Sequence, residues 1–394
     1  MKIVIATAVY YPMINGVAVF SHNLAVGLAR RGHEVLVICP SQTGKASTRI
    51  EDGVRVCYIK SVNARVYPDQ IHKVPAKKKL WYKHGLRVSV FPGREVKRIL
   101  ADFRPDVVHV QVSDPIGLSV VAQARKMNIP VVTTEHNQPE VITDPLKMPR
   151  LLKKPANALL SSYFRNRQEK SDFVTMPTKQ AINNLLSKHE IGVPVAAVSN
   201  GVDLSHFQPG ERAKKPTVVY VGRVDPEKKV ELVIRAFREV LKKVPEAELL
   251  IAGDGVDRVR LEKLARELKI AKSVKFLGKV LPPELYRVYQ KGWVFMTASE
   301  IETQGIVLIE AAASGLPLIA VNRGAVAEIC LDEKNGFLCT PGSISELSQA
   351  LESILTDEEL QKRFSEASVK IAAEHDFERT LDRFENIYKK VMVK

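Results

Sequence analysis

At 394 residues the chain exceeds what one ordinary hydrophobic core fills, which predicts two domains. Its 45% hydrophobic and 26% charged residues exclude wholesale disorder, and no apolar run approaches the roughly 20 residues that span a bilayer. The net charge of +15 is one-sided: residues 1–200 carry 29 Lys and Arg against 14 Asp and Glu, whereas residues 201–394 carry 30 of each.

A field of that kind points to an anionic partner of the first half: nucleic acid, a phosphate-bearing substrate or an anionic membrane. The first half opens on KIVIATAVY, which reads as a buried strand with no leader ahead of it, so a cytoplasmic location is expected. The next loop, PMINGVAVFSHNLA, sets Gly16 before a helix predicted to begin near Ala18, where backbone amides can approach an anionic or sugar group. Its spacing is not GxGxxG, so a nicotinamide cofactor is not favoured.

The runs EVLVIC, DVVHVQV, PVVTTEH, FVTMPT and VAAVSN then alternate with amphipathic stretches, the strand, helix, strand pattern of a doubly wound parallel sheet. His109 and Gln111 lie on one of these strands and His136 at the end of the next. Asn200 to Gly210 supplies the turn residues of a boundary. A second series follows: PTVVYVG, a helix predicted over Val230 to Val244, AELLIAGDG, SVKFLG, WVFMTAS and GLPLIAVN. The amphipathic C-terminus from about Phe377 is expected to return to the first domain. Cys39, Cys57, Cys330 and Cys339 show no CxxC or metal-like clustering and are read as reduced.

Two segments of the second series carry chemistry. In VGRVDPEKK a strand ends in Gly222 and Arg223, and a short loop leads to Lys228 at a predicted helix start. Open α/β sheets bind ligands at the carboxyl ends of their strands, so both cations fall where a diphosphate is expected. An Arg fork and a Lys point charge suit a leaving diphosphate whose charge grows in the transition state. In SEIETQGIVLIEAAASGLP, Glu302 and Gln304 precede a helix predicted from Gly305, whose amides at Gly305, Ile306 and Val307 are offered to the same anion. One of the two carboxylates Glu302 and Glu310 can hold a transferred sugar while the other accepts ribose hydroxyls. Glu310 falls in an apolar stretch and needs a partner.

GRVDPEKK, IAGDG at Ile251 to Gly255 and the Glu302 to Glu310 segment, in this order and spacing, resemble the donor half of family 4 glycosyltransferases. The likeness covers nearly the whole chain, including the Gly16 loop and NGVD at Asn200 to Asp203. It implies an α/β architecture of two Rossmann-like doubly wound domains facing across a cleft, known as GT-B. Residues 1–198 with 375–394 would be the acceptor-binding, membrane-facing domain, and residues 199–374 the nucleotide-sugar domain. It also implies sugar transfer with retention of configuration and without a bound metal or other cofactor. The diphosphate is then assigned to Arg223, Lys228 and the Gly305 to Val307 amides, the sugar to Glu302, the ribose to Glu310, and a site-facing role to His136. Gln111 departs from the histidine found in many relatives, which removes any imidazole role there.

The acceptor is read from Ile71 to Arg98, where Lys77, Lys78, Lys79, Lys83 and Arg87 interleave with Trp81 and other apolar residues, a pattern suited to a membrane interface. A second basic run follows at Leu146 to Pro155. ETQG at Glu302 to Gly305, with the basic first domain, is similar to diacylglycerol glucosyltransferases and to phosphatidylinositol mannosyltransferases, implying a hexose, with glucose and UDP preferred, and a lipid acceptor. A soluble glycan acceptor and a GT-B sugar-nucleotide epimerase are the alternatives. No helix-turn-helix, RRM or zinc finger is legible, so nucleic acid is not an expected partner.

Overall fold

A computed structural model describes residues 1–11, 16–63, 87–111, 114–136, 168–187 and 191–393, with positions 155, 162 and 165. The chain divides into two units, Met1–Val198 with Leu381–Lys394, and Ser199–Thr380. The C-terminal return, expected at residue 375, falls six residues later, inside a helix.

In the first unit the order is β1 (Lys2–Ala6), α1 (Gly16–Arg30), β2 (Glu34–Pro40), β3 (Ser47–Glu51), β4 (Val54–Ile59), β5 (Val62–Asn63), β6 (Arg87–Val88) and α2 (Gly93–Phe103). There follow β7 (Val107–Val110), α3 (Pro115–Lys126), β8 (Val131–Thr134), β9 (Phe173–Met176), α4 (Lys179–Leu186) and β10 (Val195–Ala197). The main sheet runs β10-β9-β8-β7-β1-β2-β4-β3. Its central strands are parallel and buried on both faces, which is why they read as unbroken Val and Ile runs. Ile3, for instance, stands between Val35 and Val107. The edge strand β3 is antiparallel to β4 and almost wholly exposed, so STRIE carries no hydrophobic signal from which a strand could be predicted. Helix α3 begins on the Asp114 side chain, which accepts from the Gly117 amide at 2.8 Å, with Pro115 as its first residue.

The second unit holds β11 (Thr217–Val221), α5 (Val230–Val240), β12 (Glu248–Ala252), α6 (Arg258–Glu267), β13 (Val274–Gly278), α7 (Glu284–Gln290) and β14 (Val294–Met296). It continues with α8 (Ile306–Ala313), β15 (Leu318–Val321), β16 (Gly336–Cys339), α9 (Ile344–Thr356) and α10 (Glu358–Ala372). All its strands are parallel, in the order β13-β12-β11-β14-β15-β16. Helix α5 stops at Val240, four residues short of the predicted end, and a turn carries the chain through Val244.

The strand order reverses between β11 and β14 in this unit, and between β1 and β7 in the first. Such a switch point leaves a crevice at the carboxyl ends of the two diverging strands. The candidate residues follow β11 and β14 in one unit and β1, β7 and β8 in the other.

The final helix, α11 (Phe377–Met392), starts in the second unit, where the Val202 amide bonds the His375 carbonyl and the Phe377 amide bonds that of Val202. From Leu381 it belongs to the first unit. There Arg31 reaches Asp382 at 2.7 Å, His33 reaches Glu385 at 2.9 Å, and Phe384 packs on Phe20. All four cysteines are buried and unpaired.

Candidate active site

The loop after β11 is shaped by backbone packing. Gly222 and Gly253 both have positive φ, and a Cβ on Gly253 would stand 1.8 Å from the Gly222 carbonyl oxygen. A Cβ on Gly255 would stand 2.2 Å from the carbonyl oxygen of Val224. The glycines of IAGDG therefore let the β12 turn lie directly on the β11 turn, beyond the tight connection read from sequence. Asp225 ties the two turns further by accepting the Val256 amide at 3.1 Å.

Lys228 lies at the end of a single 3-10 turn, Pro226–Lys228, rather than at the start of α5. Lys229 then takes a left-handed conformation, φ 52°, and redirects the chain into α5. The turn aims the Lys228 ammonium at the loop after β14: Nζ is 2.7 Å from Glu302 Oε1 and 3.5 Å from both the Ser299 hydroxyl and the Ile301 carbonyl. Both side chains of the pair are only 16% exposed. Two motifs 74 residues apart thus meet in one partly desolvated ion pair.

Arg223 is held differently. Its side chain is 62% exposed and donates to Asp225 and, at 2.7 Å, to Glu227. Burial disfavours its charge, but these carboxylates outweigh that and hold its pKa above the ordinary value. An anion approaching this guanidinium would therefore compete with carboxylates of the same loop.

Gly305 caps α8 in a left-handed conformation, φ 79°, and no side chain closes the helix start. The Leu308 amide bonds the Gly305 carbonyl, while the loop before it is braced by the Ala325 amide on the Glu302 carbonyl at 3.4 Å. Glu310 sits at the fifth residue of α8, just over one turn in, and mostly buried. Burial pushes its carboxyl up to about 7, and a hydrogen bond from the Tyr289 hydroxyl to Oε2, 2.6 Å, offsets part of that rise. Tyr289 is the partner the apolar surroundings of Glu310 demanded.

In the first unit, Gly16 is the first residue of α1, two residues ahead of the predicted start, and is exposed. His136 is 6% exposed; its Nε2 is 2.8 Å from Gln111 Oε1, and its ring meets the Phe20 ring edge-on at 5.2 Å. Gln111, which departs from the histidine of many relatives, thus holds His136 through its side-chain amide oxygen. His109 is fully buried between Tyr388 of α11 at 2.7 Å and Thr134 at 2.6 Å. Burial, with a smaller effect from His136, lowers its pKa to about 3, so it stays neutral and structural. Arg87, expected on a membrane-facing surface, is half-buried and spends its guanidinium on Ser61, on the hydroxyl at 2.9 Å and the carbonyl at 3.0 Å. Lys77, Lys78, Lys79, Trp81 and Lys83, and the second basic run from Leu146 through Lys154, lie outside the described residues. Among the described residues no group of three His, Cys, Asp or Glu side chains is arranged to hold a metal ion, and no helix is long and apolar enough to cross a membrane.

Residues 202–370 match the family described as glycosyl transferases group 1, and residues 14–206 match glycosyltransferase family 4. The chain belongs to these glycosyltransferases. The enzyme is 27% identical over 353 residues to alpha-monoglucosyldiacylglycerol synthase of Streptococcus pneumoniae, covering 86% of this chain and 75% of that one. It is 28% identical over 355 residues to GDP-mannose-dependent alpha-mannosyltransferase of Mycobacterium tuberculosis, covering 87% and 84%. The solved structure of sucrose-phosphate synthase from Thermosynechococcus elongatus superposes with a TM-score of 0.79 at 20% identity, over 100% of both chains. The fold is the expected GT-B arrangement of two Rossmann-like domains.

Sequence reasoning passed over a second brace, within the second unit of the glycosyltransferase. The buried Gln304 side chain accepts the Asn200 amide at 3.1 Å and donates to the Ser199 hydroxyl at 2.6 Å, while His375 Nδ1 lies 3.0 Å from that hydroxyl. ETQG is thereby tied to the SNGVD segment, 104 residues away. Gln304→Ala leaves the buried Asn200 amide without its partner, so a loss of about 2 kcal/mol in stability is expected, read as a lower denaturation midpoint. An unchanged midpoint would show that the tie contributes nothing to stability.

Proposed function

We propose that this enzyme is a retaining family 4 hexosyltransferase that moves glucose from UDP-glucose to a membrane lipid of the diacylglycerol type, working on the inner face of the cell membrane without a metal. The observation that carries the chemistry is the Lys228–Glu302 pair at 2.7 Å, set at the switch point beside the uncapped start of α8. A cation and a carboxylate in such contact suit a donor whose diphosphate takes the ammonium and whose sugar hydroxyls take the carboxylate. Arg223 and the amides of Gly305, Ile306 and Val307 complete the anion site, and Glu310 accepts the ribose hydroxyls.

In the reaction the bond from the sugar's anomeric carbon to the diphosphate oxygen breaks, its electron pair leaving with UDP. The acceptor hydroxyl oxygen bonds to the same face of that carbon, and its proton passes to the departing oxygen. Lys228 and Arg223 stabilise the charge that collects there, which is where a fixed cation lowers a barrier most. His136, oriented by Gln111, serves the sugar and acceptor side. The similarity to alpha-monoglucosyldiacylglycerol synthase supports the lipid acceptor.

The test is a transfer assay with UDP-glucose, UDP-galactose or GDP-mannose and diacylglycerol vesicles, with and without anionic phospholipid. Glycolipid from UDP-glucose on anionic vesicles is the expected result. Turnover that reaches only soluble sugars or glycans would move the acceptor off the membrane, and conversion of the nucleotide-sugar alone would replace transfer by epimerisation.

A further inference from the structure

The loop between β6 and α2 has an exposed tip. Phe91 is 93% exposed and Val90 55% exposed, while the residues on either side, Ser89 and Pro92, are buried. The buried flanks fix the loop, so the two apolar side chains project from a set base. Phe91 also has φ 54°, a backbone region that bulky residues avoid, and its protruding ring recovers no burial in return. Behind the tip, Val62 on β5 stands opposite Val88 on β6 and is itself 50% exposed, which widens the apolar ledge.

The helix that follows presents cations beside this ledge. Val96, Leu100 and Phe103 bury one side of α2, and Arg94, Lys97, Arg98 and Ala101 form the exposed stripe on the other, at the i, i+3, i+4, i+7 spacing of one helix face. Among the described residues, no carboxylate lies within ion-pair distance of Arg94, Lys97 or Arg98. The second unit treats its surface cations otherwise: Arg235, Lys243, Arg258 and Lys275 each meet a Glu at 2.6 to 2.8 Å. Unpaired charge on α2 belongs to the first half's excess of cations, 29 Lys and Arg against 14 Asp and Glu, and on this helix it stands beside the apolar tip.

We infer that Val90, Phe91 and the Arg94–Lys97–Arg98 stripe form a contact face for an anionic lipid bilayer, with Phe91 entering the headgroup and acyl boundary and the three cations resting on lipid phosphates. The purpose of the face rests on the lipid-acceptor reading; its existence does not. Apolar tip and cationic flank are the two halves of interfacial binding, and neither suffices alone. A polyanion without an apolar phase would satisfy the stripe and leave Phe91 in water. This face lies at the end of the Ile71 to Arg98 segment expected to meet a membrane and narrows that expectation to its last nine residues, without Arg87, which is committed to Ser61.

The test uses full-length protein, phosphatidylcholine vesicles with and without phosphatidylglycerol, and flotation as the readout, with no donor or acceptor present. Wild type is expected to float with the anionic vesicles only. Phe91→Ser should weaken that partition about tenfold, and joint replacement of Arg94, Lys97 and Arg98 by Gln about a hundredfold. Each variant's melting temperature should match wild type because these side chains are exposed. A Phe91→Trp variant reads insertion directly: its added fluorescence should shift to the blue on anionic vesicles and stay unshifted on neutral ones. Wild-type binding that both sets of replacements leave intact, or a Phe91→Trp signal that never shifts, overturns the proposal. Flotation on anionic vesicles here, together with no glycolipid in the separate transfer assay with UDP-glucose and diacylglycerol, would instead sink the lipid-acceptor reading and leave this face standing.

Discussion

Lys228→Ala is expected to lower turnover by about a thousandfold while weakening donor binding by less than about tenfold. The asymmetry follows from where Lys228 sits. In the free enzyme its ammonium is already balanced by Glu302 at 2.7 Å, in a site where both side chains are 16% exposed. Binding the ground-state diphosphate therefore redistributes an interaction that exists already. The gain comes when the bond to the sugar breaks and negative charge concentrates on the leaving oxygen, because a fixed, partly desolvated cation needs no reorganisation at that moment. Arg223 is 62% exposed and carries Asp225 and Glu227 as permanent neighbours, so Arg223→Ala should cost turnover only about tenfold. Single-turnover rates and calorimetric UDP affinity separate the two quantities. Equal losses in both for Lys228→Ala would mean uniform binding and would remove Lys228 from the transition state. A folding defect from the stranded Glu302 is distinguished by the denaturation midpoint: turnover lost at temperatures where Lys228→Ala is still folded belongs to chemistry and not to stability.

The candidate site's main parts could be placed from sequence because a doubly wound sheet sets loop residues just after strands. Reading VVYVG and WVFMTAS as strands was enough to set Arg223, Lys228 and Glu302 at carboxyl ends, and only the pairing of β11 with β14 was left for the structure to supply. What the sequence hid are partners with no spacing rule. Tyr289 reaches Glu310 from α7, 21 residues upstream on another helix, and Gln304 reaches across 104 residues to Asn200. A buried carboxylate announces that a partner exists, not which one. The antiparallel edge strand β3 was missed for a related reason: STRIE is exposed on nearly every residue, so its pairing rests on backbone bonds that leave no pattern in side chains. Arg87 shows the reverse error, since a cation in a basic run was read as membrane-facing while its guanidinium is committed to Ser61.

With Glu310 on the ribose, as proposed, the donor site is expected to be sensitive to pH near neutrality. Burial lifts its carboxyl from 4.5 to about 7, so the folded protein holds a proton there that the unfolded chain has released. The group's favourable contribution is complete below pH 4.5, declines as pH rises toward about 7, and is gone above it, where both states are ionised. The full displacement is on the order of 3 kcal/mol, so Glu310→Gln should gain up to that much stability relative to wild type at pH 8 and much less at pH 4. Donor binding runs the opposite way. In the proposed site the ribose hydroxyls would donate to the ionised carboxylate, so UDP affinity should climb as pH rises through about 7 and fall roughly tenfold for each pH unit below it. Glu310→Gln should flatten that dependence and weaken UDP binding at pH 8 by about 10- to 100-fold, the value of a hydrogen bond to a charged acceptor. Tyr289→Phe removes the bond that now holds the carboxyl down, so its binding midpoint should move higher still. Calorimetric titration of UDP across pH 5 to 9 reads all three proteins. A wild-type affinity that stays level through this range would place the ribose on another group and leave Glu310 a structural acid of α8.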